Sequence, residues 1–465
     1  MSRLAPRKSK KGVMNMISSR KSRIRFFHYI VLLSFIVIAS STILITQQMH
    51  VPGNGIQLVQ SRPIVAAMPG SSDPSGDEWP MFRGGLNYSG ATTTTPVEGS
   101  GLIWRFKTGG PVHSSPAIAG GKVFVGSDDG KMYCLNSSTG DLLWSYTTPD
   151  ARPIQSAPAI ADNRVVFGCF DNKTYCLDAV TGALLWTYKP ANCVAYPFLA
   201  INKGRVYTTC GFNITYCLNV TTGLLIWSED INRSIDASPA AWMDYVVVSS
   251  TGRMTFCLNA TTGHVIWSSD LGGSDMPPAI KNDGRAYLGA LNDTLICFNI
   301  TSGKILWQYT SNSIICTIPT IFGDEIYVGY VPDYGFHVFD AITGIKKNRS
   351  FVAPNQVQDC VCANSRLYAG CVYYGLYCFN TSSSKKLWNY TINNSIGASL
   401  AIADGHVFVP CEDGYLYCFP MILTPQSDLT TTLIIIGGIV GGAGAAIAVV
   451  VVVRRKDASQ AQPLI

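Results

Sequence analysis

The sequence predicts an all-β fold, an eight-bladed β-propeller of four-stranded antiparallel blades, flanked by N- and C-terminal transmembrane helices. Three observations predict it. A strand-turn-strand-turn-strand pattern recurs about every 40 residues, which is the period of propeller blades. Hydrophobic residues make up 47% of the chain and charged residues only 14%, a composition that excludes general disorder. Two apolar runs, 26–46 and 433–453, are each long enough to cross a bilayer as a helix.

The repeat is marked by two series of residues that are out of phase with each other. A small residue recurs in the middle of one strand, at Cys134, Cys176, Cys217, Cys257, Cys297, Val338, Cys378 and Cys418. A tryptophan recurs on the following strand, at Trp104, Trp144, Trp186, Trp227, Trp267, Trp307 and Trp388. The first Trp strand precedes the first full repeat, whereas the last repeat ends at Phe419 without one. We therefore expect the strand around Trp104 to complete the eighth blade and to remove an open sheet edge.

Blade six departs from this repeat. Lys347 stands where the other blades have Trp, Val338 stands where they have Cys, and the hairpin over residues 330–335 is enlarged. Either a function or a partner has altered this blade, or the repeat has simply decayed there.

The repeat carries a resemblance to a known family. One blade opens with Ser-Pro-Ala-Ile at residues 115–118, and a Tyr-x-Leu-Asp strand is followed by Thr-Gly and Trp, most clearly at Asp178, Thr181, Gly182 and Trp186. These motifs resemble the tryptophan-docking repeat of pyrroloquinoline-quinone (PQQ) type propellers, which are WD40-like rings. Similar repeats occur in quinoprotein dehydrogenases and in the propeller lipoprotein of bacterial outer-membrane assembly. The resemblance covers roughly residues 78–419, and it implies that the seven tryptophans stack between neighbouring blades.

The positive charge belongs to the ends of the chain. The net charge of the chain is +6. Residues 1–25 hold nine Lys or Arg and no acid, and residues 454–465 add a net charge of +2, which leaves a net charge of about −5 for residues 26–453. A nucleic-acid partner is therefore not expected. The predicted organisation is a basic cytoplasmic segment (1–25), a signal-anchor or signal-peptide helix (26–46), a linker (47–77), the PQQ-like propeller (78–420), a linker (421–432), a transmembrane helix (433–453) and a short cytoplasmic tail (454–465).

The charges beside the apolar runs predict the location of the protein. The positive-inside rule places the C-terminal tail in the cytoplasm and the propeller outside, so the bilayer is an expected partner. Two overlapping Gly-x-x-x-Gly spacings permit association with another helix, although small residues in an isolated span are an equal alternative. These spacings are formed by Gly437, Gly438, Gly441 and Gly442.

Thirteen Asn-x-Ser/Thr sequons support an extracytoplasmic location and favour an archaeal cell-surface glycoprotein. They are Asn87, Asn136, Asn172, Asn213, Asn219, Asn232, Asn259, Asn292, Asn299, Asn348, Asn380, Asn389 and Asn393. The alternative is that each Asn only makes an Asx turn. None lies between the first two strands of a blade, so we expect the funnel formed by those turns to stay free of sugar and to be the better partner site.

Four pairs of cysteines repeat a seven-residue spacing across a hairpin, and an oxidising exterior would allow disulfides there. The pairs are Cys169 and Cys176, Cys210 and Cys217, Cys371 and Cys378, and Cys411 and Cys418. A two-residue turn would put both side chains on one face, whereas a three-residue turn would shift the register. The alternative is that these cysteines are small buried packing residues.

No set of catalytic or metal-ligating residues is visible in the sequence. The six histidines have no metal-ligand spacing. The adjacent cysteines that the resemblance implies for a dehydrogenase are missing, because Val361 separates Cys360 from Cys362. We therefore expect a non-catalytic binding or scaffold module for a protein or glycan partner, with no cofactor and no metal. The alternative is a PQQ-dependent quinoprotein oxidoreductase.

Overall fold

The computed structural model describes residues 78–84, 89–99, 101–190, 197–210, 213–235, 237–423, 431–435 and 449–453. Every named element in these ranges is a β-strand. None of the described residues forms a helix long and apolar enough to span a membrane. The helix predicted over 26–46 lies outside the described residues, so it stays a prediction.

Each blade is built on a meander of four antiparallel strands, with the first strand towards the axis and the fourth at the rim. In blade 6 the first strand is divided into two, which both pair with the second strand, and in blade 7 a short strand from the N-terminal segment adds in parallel to the first. Three short strands precede the blades: β1 (Ala91–Thr92), β2 (Glu98–Gly99) and β3 (Trp104–Lys107). Blade 1 consists of β4 (Ala117–Ala119), β5 (Lys122–Gly126), β6 (Lys131–Asn136) and β7 (Leu142–Thr147). Blade 2 consists of β8 (Ala159–Ala161), β9 (Arg164–Cys169), β10 (Lys173–Asp178) and β11 (Leu184–Tyr188). Blade 3 consists of β12 (Pro197–Asn202), β13 (Arg205–Cys210), β14 (Ile214–Asn219) and β15 (Leu225–Asp230).

The second half of the ring repeats this plan. Blade 4 consists of β16 (Ala240–Trp242), β17 (Tyr245–Ser249), β18 (Met254–Asn259) and β19 (Val265–Asp270). Blade 5 consists of β20 (Ala279–Ile280), β21 (Arg285–Gly289), β22 (Thr294–Asn299) and β23 (Ile305–Thr310). Blade 6 consists of β24 (Ile314–Ile315), β25 (Thr320–Phe322), β26 (Glu325–Val331), β27 (Gly335–Asp340) and β28 (Lys346–Val352). Blade 7 consists of β29 (Val357–Ala363), β30 (Arg366–Cys371), β31 (Gly375–Asn380) and β32 (Lys386–Tyr390).

Blade 8 is closed by a strand from the other end of the chain. Its inner strands are β33 (Ala401–Ala403), β34 (His406–Pro410) and β35 (Tyr415–Pro420), and its fourth strand is β3. In this pair Trp104 lies opposite Cys418 and Lys107 opposite Tyr415. The eight blades, and the closure predicted from the out-of-phase series, are confirmed.

The described residues after blade 8 form three more strands. β36 (Ile422–Leu423) pairs in parallel with β2. Beyond it, β37 (Thr431–Ile435) pairs antiparallel with β38 (Val449–Val453), and residues 436–448 between them lie outside the described residues. The ends of the apolar run 433–453 are thus strands, so the transmembrane helix predicted there is not confirmed and stays a prediction.

The meander fixes two faces of the ring. Turns between the first and second strands, and between the third and fourth, lie on one face, here called the lower face. Turns between the second and third strands, and the connections from blade to blade, lie on the other, here called the upper face. The second and third strands are almost fully buried, as in β5 and β6, whereas the outer strand β7 alternates between exposed and half-buried residues.

Tryptophans on the outer strands join most neighbouring blades. Six indole nitrogens donate to a backbone carbonyl at the start of a lower-face turn in the next blade, over 2.9 to 3.4 Å. The donors are Trp104, Trp144, Trp186, Trp227, Trp267 and Trp307. Each ring also covers a left-handed glycine, and a Cβ added to Gly182 would lie 2.7 Å from Trp144. Glycine is required there by both its conformation and the close approach of the ring.

At the seam between blades 6 and 7, Lys347 stands in place of the tryptophan, and its ion pair lies within blade 6. Lys347 Nζ lies 2.7 Å from Glu325 Oε1, and Arg349 also pairs with Glu325. Arg349 donates to the Ser382 carbonyl at 3.3 Å, which replaces the missing indole bond. Because no Trp ring covers this turn, the left-handed position is occupied by Ser384 (φ 56°) rather than by glycine.

We expect Trp186→Ala to lower the free energy of unfolding by about 3–5 kcal/mol, because it removes a large ring from a packed seam. Trp186 is 8% exposed and donates to the Val220 carbonyl at 2.9 Å. Urea unfolding of the full chain measures the loss. The matched control is Leu185→Ala, since Leu185 is 46% exposed and should change stability by at most about 0.5 kcal/mol. Equal losses in the two variants would contradict the docking role.

Candidate functional site

The chain's own N-terminal segment crosses the axis of the ring. Trp79 is fully buried and forms a bridge with Ile118 on the inner strand of blade 1. The Pro80 carbonyl accepts a hydrogen bond from the Ile160 amide on the inner strand of blade 2, at 2.9 Å. Met81 and Phe82 are buried in the apolar cluster formed with blades 2 to 6. Residues 79–83, here called the axial segment, therefore fill the middle of the ring.

Arg83 ends the axial segment with a fully buried charge. Its guanidinium donates to Asp359 Oδ1 at 2.9 Å, to the Ile318 carbonyl at 2.9 Å and to the Cys360 carbonyl at 3.2 Å. It also donates to the Thr320 hydroxyl. An ion pair in such a place is tolerated only when these hydrogen bonds replace the lost water. The repeat could not reveal this residue, because Arg83 precedes the first blade and belongs to no periodic series.

Residues 89–99 continue along the lower face, where they form a strap over the inner strands. Ile321 donates to the Ser89 carbonyl at 2.7 Å, and Cys362 donates to the Gly90 carbonyl at 2.7 Å. β1 then pairs with β29, and the Gly405 amide donates to Thr94 Oγ1 at 3.0 Å. The sequence predicts that the funnel formed by turns between first and second strands stays free of sugar and is the better partner site. The strap covers this funnel over blades 6 to 8, and the prediction stays a prediction.

The residues on the axis do not provide an evident cradle for a quinone. At the level of the inner strands, a planar cofactor would meet Trp79, Phe82 and Arg83. Cys360 and Cys362, the two cysteines nearest in sequence, are fully buried in β29 beside the axial segment. Within the described ranges, no three His, Cys, Asp or Glu residues are grouped so that they could hold a metal ion.

A cluster of titratable groups lies on the upper face, where blades 8, 1 and 2 meet. His113 Nδ1 is 2.8 Å from Asp128 Oδ2, and Gln155 Nε2 donates to Asp128 Oδ1 at 3.0 Å. His113 Nε2 is 4.0 Å from Glu412 Oε1. Burial raises the pKa of Glu412, while the nearby imidazole of His113 opposes the rise. The cluster ties the first blade to the last by charge and hydrogen bonds.

The predicted disulfide pairs lie across hairpins with three residues in the turn. Cys169 is opposite Lys173, and Cys176 is opposite Val166, so their side chains point to opposite faces of the sheet. The backbone register is the same in the other three hairpins, which contain Cys210 and Cys217, Cys371 and Cys378, and Cys411 and Cys418. Seven of the eight cysteines are buried thiols that form no disulfide, and the Cys210 side chain lies outside the described part of the structure. The register therefore does not support the bridges and favours the packing alternative.

Burial also makes these thiols poor nucleophiles. It raises the pKa of Cys169 and of Cys378 to about 12. Since the thiolate is the reactive form, neither thiol is activated for chemistry at neutral pH.

The sequons of five blades occupy one equivalent turn between the third and fourth strands, at Asn136, Asn219, Asn259, Asn299 and Asn380. In each, the side-chain oxygen accepts backbone N–H bonds from the second and third following residues. Asp178 and Asp340 make the same turn in blades 2 and 6. The turn thus needs only the oxygen, and the amide nitrogen that would carry a glycan is not part of it.

The remaining sequons are scattered, and glycosylation stays a prediction at all of them. Asn172 and Asn232 adopt left-handed turns. Asn213 Nδ2 donates to Asp230 at 2.5 Å. Asn87 lies outside the described residues. Asn292 belongs to an upper-face turn, Asn348 and Asn389 to outer strands, and Asn393 to the connection before blade 8.

We expect Arg83→Met to lower the free energy of unfolding by about 3–5 kcal/mol, because it leaves the buried Asp359 carboxylate without its cation. The matched control is the double variant Arg83→Met with Asp359→Asn, which removes both charges and should recover part of the loss. Chemical denaturation of the three proteins measures the difference. A double variant no more stable than the single one would contradict the ion-pair account.

We expect Glu412→Gln to stabilise the protein at pH 7 but not at pH 4. Because burial raises the folded-state pKa of Glu412, its contribution to stability is present at acidic pH and is lost as pH rises through that pKa. Glutamine removes the ionised form and hence this loss. The unfolding free energies of both proteins at the two pH values give the result. An equal effect at pH 4 and pH 7 would show that burial of the charge is not the cause.

Comparisons with known proteins agree with this geometry. No curated protein matches the sequence. BamB from Moraxella catarrhalis superposes with a TM-score of 0.58 at 16% identity, covering 69% of this chain and 99% of that one. Quinohemoprotein alcohol dehydrogenase from Comamonas testosteroni superposes with a TM-score of 0.63 at 12% identity, covering 79% and 84%. The designed Ika8 protein superposes with a TM-score of 0.59 at 16% identity, covering 70% and 100%.

These superpositions show the fold alone, and they include both a dehydrogenase and an assembly factor. The sequence itself matches a family model described as outer membrane protein assembly factor BamB over residues 97–196, 194–277 and 256–358. These segments together span more than half of the chain. The chain therefore belongs to the family of the outer membrane protein assembly factor BamB.

Proposed function

We propose that this protein is a membrane-anchored, extracytoplasmic propeller that acts as a non-catalytic binding or scaffold module for a protein or glycan partner. The family supports a binding or scaffold role, because one structural relative is named as an assembly factor component, BamB. The fold does not decide function by itself, since the same ring also occurs in dehydrogenases. The proposal therefore rests on the site.

The observation that carries the proposal is the filled axis. The axial segment contacts the inner strands of blades 1 and 2, and Arg83 binds blades 6 and 7. A ring whose middle is occupied by its own chain offers its faces and rim, rather than a central pocket, to other molecules. Exposed faces and rims suit macromolecular partners better than small substrates, which need an enclosing pocket.

The geometry of the chain ends supports a particular orientation on the proposed membrane anchors. The described propeller begins at Glu78, whose carboxylate accepts a hydrogen bond from the Gly120 amide at 3.3 Å in a lower-face turn of blade 1. Its last strand of blade 8 is followed by Ile422 and Leu423, which pair with Glu98 and Gly99 of the strap, so the propeller both begins and ends on the lower face. Anchors at 26–46 and 433–453 would hold that face towards the bilayer and would turn the upper face outwards.

Titration of the purified protein with PQQ and calcium tests the non-catalytic role. We expect no stoichiometric quinone absorbance and no reduction of an artificial electron acceptor with primary alcohols. A quinohemoprotein alcohol dehydrogenase in the same assay serves as the positive control. Stoichiometric binding accompanied by turnover would overturn the proposal and establish the oxidoreductase alternative.

A further inference from the structure

Two tyrosines on the upper face occupy backbone positions that tyrosine disfavours. Tyr334 (φ 47°) and Tyr373 (φ 63°) are left-handed residues in the turns between the second and third strands of blades 6 and 7. In the equivalent turns that the structure describes in full, the left-handed residues are Gly130, Asn172, Arg253, Asp293 and Gly414. Four of these five are residue types that tolerate this region. A bulky residue there costs about 1–2 kcal/mol, which points to a role for the ring beyond folding.

Both rings project into an exposed apolar surface. Tyr334 is 40% exposed and Tyr373 is 62% exposed, and Tyr374 beside it is 45% exposed. Val352 is 74% exposed and Ile314 is 49% exposed. These five residues, Ile314, Tyr334, Val352, Tyr373 and Tyr374, are here called the tyrosine patch. Exposed apolar groups gathered in this way are typical of interaction sites.

The backbone makes the patch continuous across the two blades. Ile314 pairs with Val331, three residues before Tyr334. Val352 lies opposite Gly335, and the Ala353 amide donates to the Tyr334 carbonyl at 2.8 Å. The connection after Val352 reaches blade 7, where the Val372 amide donates to the Gln356 carbonyl at 3.0 Å. Tyr373 and Tyr374 follow directly.

The charges around the patch indicate which partner it fits. The upper-face segments of blades 5 to 7, together with the connection to blade 8, contain two acidic residues, Asp293 and Asp333, and no Lys or Arg. These segments are residues 290–293, 311–319, 332–334, 352–356, 372–374 and 391–400. Burial lowers the pKa of His337, which disfavours its protonated, positively charged form. Exposed tyrosine rings attract cations, and acidic surroundings attract basic partners.

The patch suits a protein better than a sugar. Sugar sites need several open polar groups that converge on the ligand. Asp333, the carboxylate next to Tyr334 in sequence, already accepts a hydrogen bond from the Ser313 hydroxyl at 3.1 Å and pairs with His337 at 3.3 Å. The patch thus presents mainly rings and aliphatic groups, and tyrosine is enriched among the residues that dominate protein interfaces.

We propose that the tyrosine patch on the upper face of blades 6 and 7 is the docking surface for a protein partner whose contact segment combines apolar side chains with Lys or Arg. This inference rests on the proposed binding function and names its surface and partner chemistry. It also accounts for the enlarged hairpin over residues 330–335 of blade 6, which carries Tyr334 on the upper face.

Site-specific photocrosslinking of the full-length chain in membranes of its own cells tests the docking surface. The probe is benzoylphenylalanine placed at Ile314, Tyr334 or Tyr373, with Leu143 on the outer strand of blade 1 as the matched exposed control. We expect one protease-sensitive polypeptide adduct of the same mass at all three patch positions and at least tenfold less at Leu143. That polypeptide, once identified, should carry Lys or Arg beside apolar residues in the crosslinked peptide.

A second pair of variants separates binding from folding. Tyr334→Asn and Tyr373→Asn relieve the left-handed strain, so the melting temperature should stay the same or rise, while the adduct at Ile314 should fall at least tenfold. A lower melting temperature with an unchanged adduct would assign the tyrosines to folding and overturn the inference.

Other crosslinking outcomes distinguish a protein partner from a glycan or a second copy of the chain. An adduct that is destroyed by periodate but not by protease would identify a glycan, and one of twice the chain's mass would identify a second copy; either overturns the inference. Adducts found only with the probe at Asp128 or Glu412 would reject this surface but keep the proposed binding function. No adduct at any of these positions would contradict both.

Discussion

Closure of the ring is the constraint on which the rest of the structure depends. A blade of this kind buries both faces of its inner strands against its neighbours, so a ring with one missing strand would expose an edge and weaken two seams. The pairing of Trp104 with Cys418 supplies that strand from the opposite end of the chain. The same N-terminal stretch also fills the axis through Trp79 and runs beside β36 at Glu98. Closure of the ring, filling of its axis and the strap are thus parts of one path of the backbone.

The seams show how far the repeat can vary. Where a Trp ring covers the next blade, glycine is required beneath it, as at Gly182 under Trp144. Where Lys347 replaces the Trp ring, the left-handed position of the next blade is occupied by Ser384 instead of glycine. Arg349 then donates the hydrogen bond to the next blade that the indole donates elsewhere. At this seam Arg349 joins blade 6 to blade 7 by a hydrogen bond and Phe351 packs against Phe379, while the upper turns of both blades carry the tyrosine patch. The departures from the repeat are concentrated in these two blades.

Buried polar groups in this ring serve packing and positioning. Arg83 is neutralised by Asp359, whose other oxygen accepts the Ser399 hydroxyl, so the pair fixes the axial segment against blades 6 to 8. The cysteines opposite the tryptophans, such as Cys176 opposite Trp186, are small residues that leave room for the ring on the same face. Burial disfavours their thiolates, as the raised pKa of Cys176 shows.

The sequence by itself determined the number of blades, the four-stranded plan and the closing strand, because these follow from a 40-residue period and from the phase of Trp104 relative to Cys418. Only the tertiary structure decided the rest. The cysteine hairpins could not be assigned from spacing, because the three-residue turn sets the register. Arg83 has no periodic partner, so its pairing with Asp359, far along the chain, appears only when the ring brings both to the axis. Likewise Tyr334 and Tyr373 read as ordinary turn residues until the backbone angles and the exposure of their rings are known.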